Sequence, residues 1–259
     1  MGLFILSNLF FSCYYIRMKT EIKIIGGIII AGLFVWGGIF FLGNKNAEVP
    51  ANGDGISMEL PPKPSGYDIL NKNDVIIAEI PEDRRVQYED EFEETLQTIT
   101  EHPDSFLAWM NLATIKNAFG DYEGAEKVWL YATEISPNQG RSLVNLGDLY
   151  WNKLKNYPRA EWAYIEAIDR DPVNARAYRD LASLYQFSYT EKKDMAINIL
   201  LLGIENSPDN EVEFLALAGL WAWENGDITD AIGYYERYLE LNPDDNVARA
   251  DLVKLRSLR

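Results

Sequence analysis

From Phe106 onward, apolar side chains return every three or four positions in short blocks separated by polar turns. The first blocks place them at Trp109, Leu112, Ala113 and Ile115, then at Ala125, Val128, Trp129 and Ala132. Such spacings put each set on one helical face, so the pattern predicts two antiparallel helices joined at Gly120-Asp121. Glycine there supplies a left-handed stop and aspartate an N-cap oxygen. Gly226-Asp227 repeats the device. Pro103, Pro137, Pro172, Pro208 and Pro243 stand 34, 35, 36 and 35 residues apart, and a period in that range marks stacked supersecondary units. Ten residues after each proline come Ala113, Gly147, Ala182, Ala218 and Val253, and twelve before the last four come Ala125, Ala160, Ala196 and Ala231. All length variation therefore falls between two fixed small residues, where the turn inside each pair lies. At the junctions, proline disfavours helical geometry in the residue before it, and Asp104, Asn138, Asp209 and Asp244 are candidate caps for the next helix.

The second period carries Leu143, Leu146-Gly147, Tyr150, Ala160, Tyr164, Ala167 and Pro172. The third has Tyr178, Leu181-Ala182, Tyr185, Ala196, Leu200, Gly203 and Pro208, and the fourth Phe214, Leu217-Ala218, Trp221, Ala231, Tyr235, Tyr238 and Pro243. This resembles the tetratricopeptide repeat family over roughly Pro103 to Arg259. Lys116 stands where an aromatic is usual, Tyr238 where a small residue is usual, and the last three units carry one or two extra residues in the internal turn. The resemblance implies an all-α, helix-pair solenoid of four repeats plus a C-terminal capping helix. It also implies that the first helix of each unit lines a concave, partner-binding face. By position that face would present Met110 and Asn117 from unit one, and Arg141, Asp148 and Trp151 from unit two. Units three and four would add Arg176, Arg179, Phe187 and Trp223. Aromatics and arginines concentrate in binding hot spots, and the arginines could fix a carboxylate or acidic peptide by bidentate bonds. The alternative is that they pair with helix carboxylates such as Asp148 and Asp180. The family's Lys and Asn clamp for a C-terminal carboxylate is not supported, since Met110 and Thr114 hold those positions.

A stack needs atypical ends, because an outer face without a neighbour must be solvated. Residues 82–102 form a charged helical stretch with Phe92, Leu96 and Ile99 at i, i+4 and i+7, read as an N-terminal capping helix before the solenoid of 103–259. At the far end Arg249, Lys254 and Arg256 replace expected apolar residues, which reads as a C-terminal cap.

Upstream, residues 24–43 hold 20 consecutive uncharged positions, enough to span a hydrocarbon core as a helix. The following Asn44-Lys45-Asn46-Ala47-Glu48 is a poor cleavage site, so residues 18–43 are expected to be a retained transmembrane anchor. Arg17, Lys19 and Lys23 precede it, which places the N-terminus in the cytoplasm and the repeats on the non-cytoplasmic side. Residues 1–17 are apolar but short. They are either a stretch preceding the true start at Met18, a strained first span or an interfacial segment. Cys13 lacks the neighbours of a lipoprotein signal. Residues 44–81 are a linker with Pro50, Pro61, Pro62 and Pro64, whose 38 residues as a flexible coil extend about 35 Å. Its apolar run Asp74 to Ile80 is expected to dock on the first helices.

Charge and chemistry narrow the function. The chain has 24 basic and 40 acidic residues, net −16. Such a surface repels phosphate backbones, so nucleic acid is not an expected partner. One cysteine lies in the N-terminal stretch and one histidine, His102, in a turn. Neither has companions for a catalytic triad or a zinc site, and no glycine-rich phosphate loop or calcium loop occurs. No enzyme activity, metal, cofactor or small-molecule substrate is expected. The reading is a membrane-tethered, non-catalytic scaffold for a protein or peptide. The alternatives are self-association into a structural assembly and an accessory role in an envelope enzyme or secretion complex. The register is open to test: Ala160→Leu and Ala231→Leu should each cost about 1–3 kcal/mol by overpacking, and parental melting curves for both would show it misassigned.

Overall fold

In the computed structural model, the described residues are Leu70, Asn71 and 81–259, and from Pro81 onward the backbone is helix after helix. The predicted anchor, most of the linker and its apolar run lie outside the described residues. Helix α1 spans Glu82–Glu101, and four pairs follow: α2 (Phe106–Phe119) with α3 (Tyr122–Ile135), α4 (Arg141–Asp148) with α5 (Tyr157–Arg170), α6 (Ala175–Phe187) with α7 (Ala196–Asn206), and α8 (Glu211–Asn225) with α9 (Ile228–Leu241). A last helix, α10, spans Asn246–Ser257. Each helix packs chiefly on its neighbours in sequence, and α4 also touches α6. These contacts make a one-dimensional stack of the kind in which each unit stabilises only the next. Among the described residues, no helix is long and apolar enough to cross a membrane.

Helix crossings sit where the small residues recur. Ala113, Ala182, Ala218, Ala125, Ala160, Ala196 and Ala231 are completely buried. At Gly147 the approach is closest: a Cβ there would lie 2.4 Å from the Tyr164 ring, so glycine is required for α4 and α5 to meet. The aromatics of the pattern fill the space beside these contacts, and Trp109, Tyr150, Tyr164, Tyr178, Tyr185 and Trp221 are almost fully buried. Two of them tie back to the junction prolines. Trp109 Nε1 donates to the Pro103 carbonyl at 2.9 Å and Tyr178 Oη to the Pro172 carbonyl at 2.9 Å. Burial, then Asp169 and Asp171, push the Tyr178 phenol up to about 12. One core runs from Phe92 to Trp221, and a smaller cluster joins Ala222, Ala231, Ile232, Leu252 and Leu255 at the C-terminal end.

The ends follow the same logic. Phe92 and Ile99 of α1 are buried against the first pair, while Leu96 is half-buried. In α10, Arg249 occupies the position of Trp109 and Tyr178, and its guanidinium likewise donates to the carbonyl of the preceding proline, Pro243. Val253, the counterpart of the buried alanines, is 65 % exposed. The face that other first helices pack against their second helix is therefore open in α10.

The junction caps come slightly later than the sequence pattern places them. Ser105 caps α2 through Ala108 N, and Asp245 caps α10 through Val247 N and Ala248 N, because a turn following each proline separates it from the helix start. Asp121 accepts from Gly124 N at 3.0 Å as expected. Asp227 occupies the N-cap position of α9 without a side-chain cap bond.

The extra residues of the internal turns are absorbed in three ways. Unit four lengthens its first helix by one residue, and Gly226 takes the left-handed stop at φ 88°, matching Gly120 at 85°. Unit three inserts a 3-10 segment, Thr190–Met195. Unit two opens a π-helical turn, Leu149–Lys153, whose exit is Lys155 at φ 52°. A lysine in that region is strained by its Cβ. Lys155→Gly should therefore stabilise the fold by about 0.5–1 kcal/mol, read as a higher melting midpoint. An unchanged or lower midpoint would contradict the strain assignment.

Candidate functional site

The first helices α2, α4, α6 and α8, with the π-helical turn that continues α4 and holds Trp151, carry the residues singled out for partner binding, and the structure places them in different surroundings. Arg176 and Arg179 belong to an ionic ladder. The Arg176 guanidinium bonds Asp148 on α4, Asn145 Oδ1 at 3.2 Å and Asp180 Oδ2 at 3.1 Å. Arg179 bonds Asp180 Oδ1 at 3.1 Å and Glu213 Oε1 on α8 at 3.2 Å. The result is a continuous chain, Asp148–Arg176–Asp180–Arg179–Glu213, across three first helices. Asp148 also accepts from Tyr164 Oη at 2.7 Å. Burial raises its carboxyl above the ordinary value, a shift opposed by the Tyr164 bond and by Arg176. Partly exposed pairs of this kind are each worth about 0–1 kcal/mol, so the ladder chiefly sets which charges remain available.

The aromatic candidates are engaged to different degrees. Trp151 is half-buried and donates from Nε1 to Ser188 Oγ at 2.8 Å. Phe187 is 60 % exposed and meets the Trp221 ring edge-on at 5.6 Å. Trp223 is half-buried, with the Tyr235 ring at 6.4 Å and the Lys254 ammonium 4.8 Å from its centroid. Asn117 is half-buried, and its Oδ1 has no hydrogen-bond partner.

Arg141 and Met110 meet at the other end. They line a groove of about 600 Å³ between α1, α2 and α4, together with Glu91, Glu94, Thr95, Thr98, Ser105, Leu107, Ala108, Asn111, Thr114 and Asn145. Met110 forms buried floor, Leu107 is 65 % exposed at the lip, and Asn111 Nδ2 donates to Thr95 Oγ1 at 3.1 Å. Arg141 is exposed and, unlike Arg176 and Arg179, is in no ion pair among the described residues. Sequence reasoning missed the α1 wall, since it treated that helix only as a cover. The available signal was the pair Thr95 and Thr98 beside Glu91 and Glu94, polar residues on one side of the helix.

Two inter-unit networks lie outside the groove. Tyr150 Oη donates to Glu126 Oε1 at 3.0 Å, and Arg159 bonds the same carboxylate and sits over the Tyr150 ring at 4.1 Å. One unit later Tyr185 and Lys192 bond Glu161 in the same way. Burial first, and the neighbouring glutamate after it, push both phenols above their usual range. In unit one, Lys116 fills the tyrosine position. It is 1 % exposed, donates from Nζ to Asp121 Oδ2 at 2.9 Å and to the Asn71 carbonyl at 2.7 Å, and lies 5.6 Å from the Phe92 ring centroid. The departure from the aromatic pattern is thus a buried, paired cation that holds Asn71 against the first unit. Among the described residues, no group of three or more His, Cys, Asp or Glu is arranged to hold a metal ion.

Comparison with known proteins supports the repeat assignment in part. Residues 206–252 match the tetratricopeptide repeat family model. No curated protein matches the chain at a significant level. Among solved structures, the chain is similar to Pseudomonas aeruginosa pilF, with a TM-score of 0.48 and 16 % identity over 71 % of this chain and 90 % of that one. It is also similar to MamA of Desulfovibrio magneticus RS-1, at 0.47 and 19 % over 63 % and 90 %. YrrB, described as a TPR protein with an unusual peptide-binding site, gives 0.46 and 17 % over 63 % and 82 %. At those scores the fold assignment rests on the chain's own helix pairs.

Removing one member of a buried ion pair strands the other charge. Lys116→Met should therefore cost about 3–5 kcal/mol, measured by denaturant unfolding, and a loss near zero would show that Asp121 needs no cation. The residues that match the tetratricopeptide repeat model, 206–252, hold the fourth helix pair, and three further helix pairs precede it from Phe106.

Proposed function

We propose that this chain is a membrane-tethered, non-catalytic scaffold that holds a protein or peptide partner on the face made by its first helices. Tetratricopeptide solenoids act in general as surfaces for protein contact. The observation that carries the reading here is the open groove of about 600 Å³ at the N-terminal end of that face, with Met110 in its floor and Arg141 in its wall. The ionic ladder engages Arg176 and Arg179 with carboxylates of this chain. The uncharged stretch 24–43 and its basic flank support a tether with the repeats on the non-cytoplasmic side. A tether raises the local concentration of the scaffold near other membrane components.

Two measurements test this. A photo-crosslinking residue at Thr114, in the groove, should give a discrete protein adduct in cells, whereas one at Trp162, on a second helix, should not. Adducts from Trp162 alone would overturn the face assignment. Protease added to intact spheroplasts should digest the repeats, and protection until lysis would place them on the opposite side.

A further inference from the structure

We propose that the groove between α1, α2 and α4 takes a mixed-charge polypeptide segment: a carboxylate on Arg141, a cationic side chain on Glu94, and an apolar side chain over Met110 and Leu107. The inference rests on the scaffold reading and narrows it to one end of the stack and one chemistry of partner.

Three features carry it. The first is charge availability. The guanidiniums of Arg176 and Arg179 are held by carboxylates of their own and neighbouring helices, while among the described residues Arg141 and the carboxylate of Glu94 take part in no ion pair or side-chain hydrogen bond. The Glu91 carboxylate accepts from Gln87 Nε2 at 3.0 Å. The second is the disposition of sign. Carboxylates stand on the α1 wall and the free guanidinium on the α4 wall. A uniformly acidic ligand is repelled by α1 and by a chain of net charge −16, and a uniformly basic one meets like charge at Arg141. A segment bearing both signs satisfies both walls, and its carboxylate gains a forked, bidentate partner. The third is size. The α1 wall runs from Glu91 to Thr98, about 11 Å of helix, which matches three or four extended residues. Between the charged walls lies the apolar contact, Met110 below and Leu107 65 % exposed at the lip.

The test uses the full chain in detergent micelles and a displayed library of random peptides. Selection on the parent should enrich peptides in which an acidic and a basic residue flank an aliphatic one. The best of these, as a labelled synthetic peptide, should bind Arg141→Glu about tenfold more weakly. Exchanging its acidic residue for lysine should restore affinity for that variant, and unchanged circular dichroism of the variant would confirm an intact fold. Equal binding to parent and Arg141→Glu overturns the groove proposal. So does loss of binding on Arg179→Ala with Arg141→Glu unaffected, although the scaffold reading then survives with its seat moved along the ladder. A selection that enriches no peptide overturns both.

Discussion

Close approach of paired helices at one small residue per helix is the constraint on which the rest of this molecule depends. Gly147 lies so near the Tyr164 ring that a single methyl group would collide with it, and the buried alanines hold the same position in other pairs. Once two helix axes are that close, the aromatics beside them have fixed cavities to fill. Burial then raises the phenols of Tyr150, Tyr164 and Tyr185, which donate to Glu126, Asp148 and Glu161. The networks between units thus follow from the packing within units.

Much of this was legible in the sequence because it is periodic. The small residues, their aromatic companions, the junction prolines and the two Gly-Asp turns all recur at fixed distances, and a recurring spacing is a geometric statement even without coordinates. Less legible was whatever broke the period. The extra residues of units two and three announce a longer turn, but whether a chain absorbs them as a π-helical bulge or a 3-10 segment depends on local packing. Lys116 read as a defect in the pattern, although its partner Asp121 was already assigned as a cap. One carboxylate serving both a helix start and a buried ammonium is visible only when both are placed in space.

The candidate site shows the same division. Position alone put Arg141, Arg176 and Arg179 on one face, and their equivalence ends there. Carboxylates at Asp148, Asp180 and Glu213 pair with two of the arginines, whereas Arg141 shares its groove with Glu91 and Glu94 without pairing with either among the described residues. Carboxylates within bonding distance of two arginines and not of the third are a local difference that a periodic template averages away. The contribution of α1 was hidden for a related reason: it belongs to no repeat, so no register pointed to it.

The junctions between units are chemically unequal, and this makes the stack responsive to its solvent. Units one and two, and units two and three, are joined by Tyr–Glu–cation networks. Between units three and four, Ile197 and Trp221 take the corresponding positions and enter the apolar core, with Phe187 edge-on to the indole, and the Arg179–Glu213 pair lies beside them. Ionic contacts at partly exposed sites weaken as electrolyte screens them, while apolar contacts do not. Brine would therefore loosen the two tyrosine–glutamate seams more than the one built around Trp221.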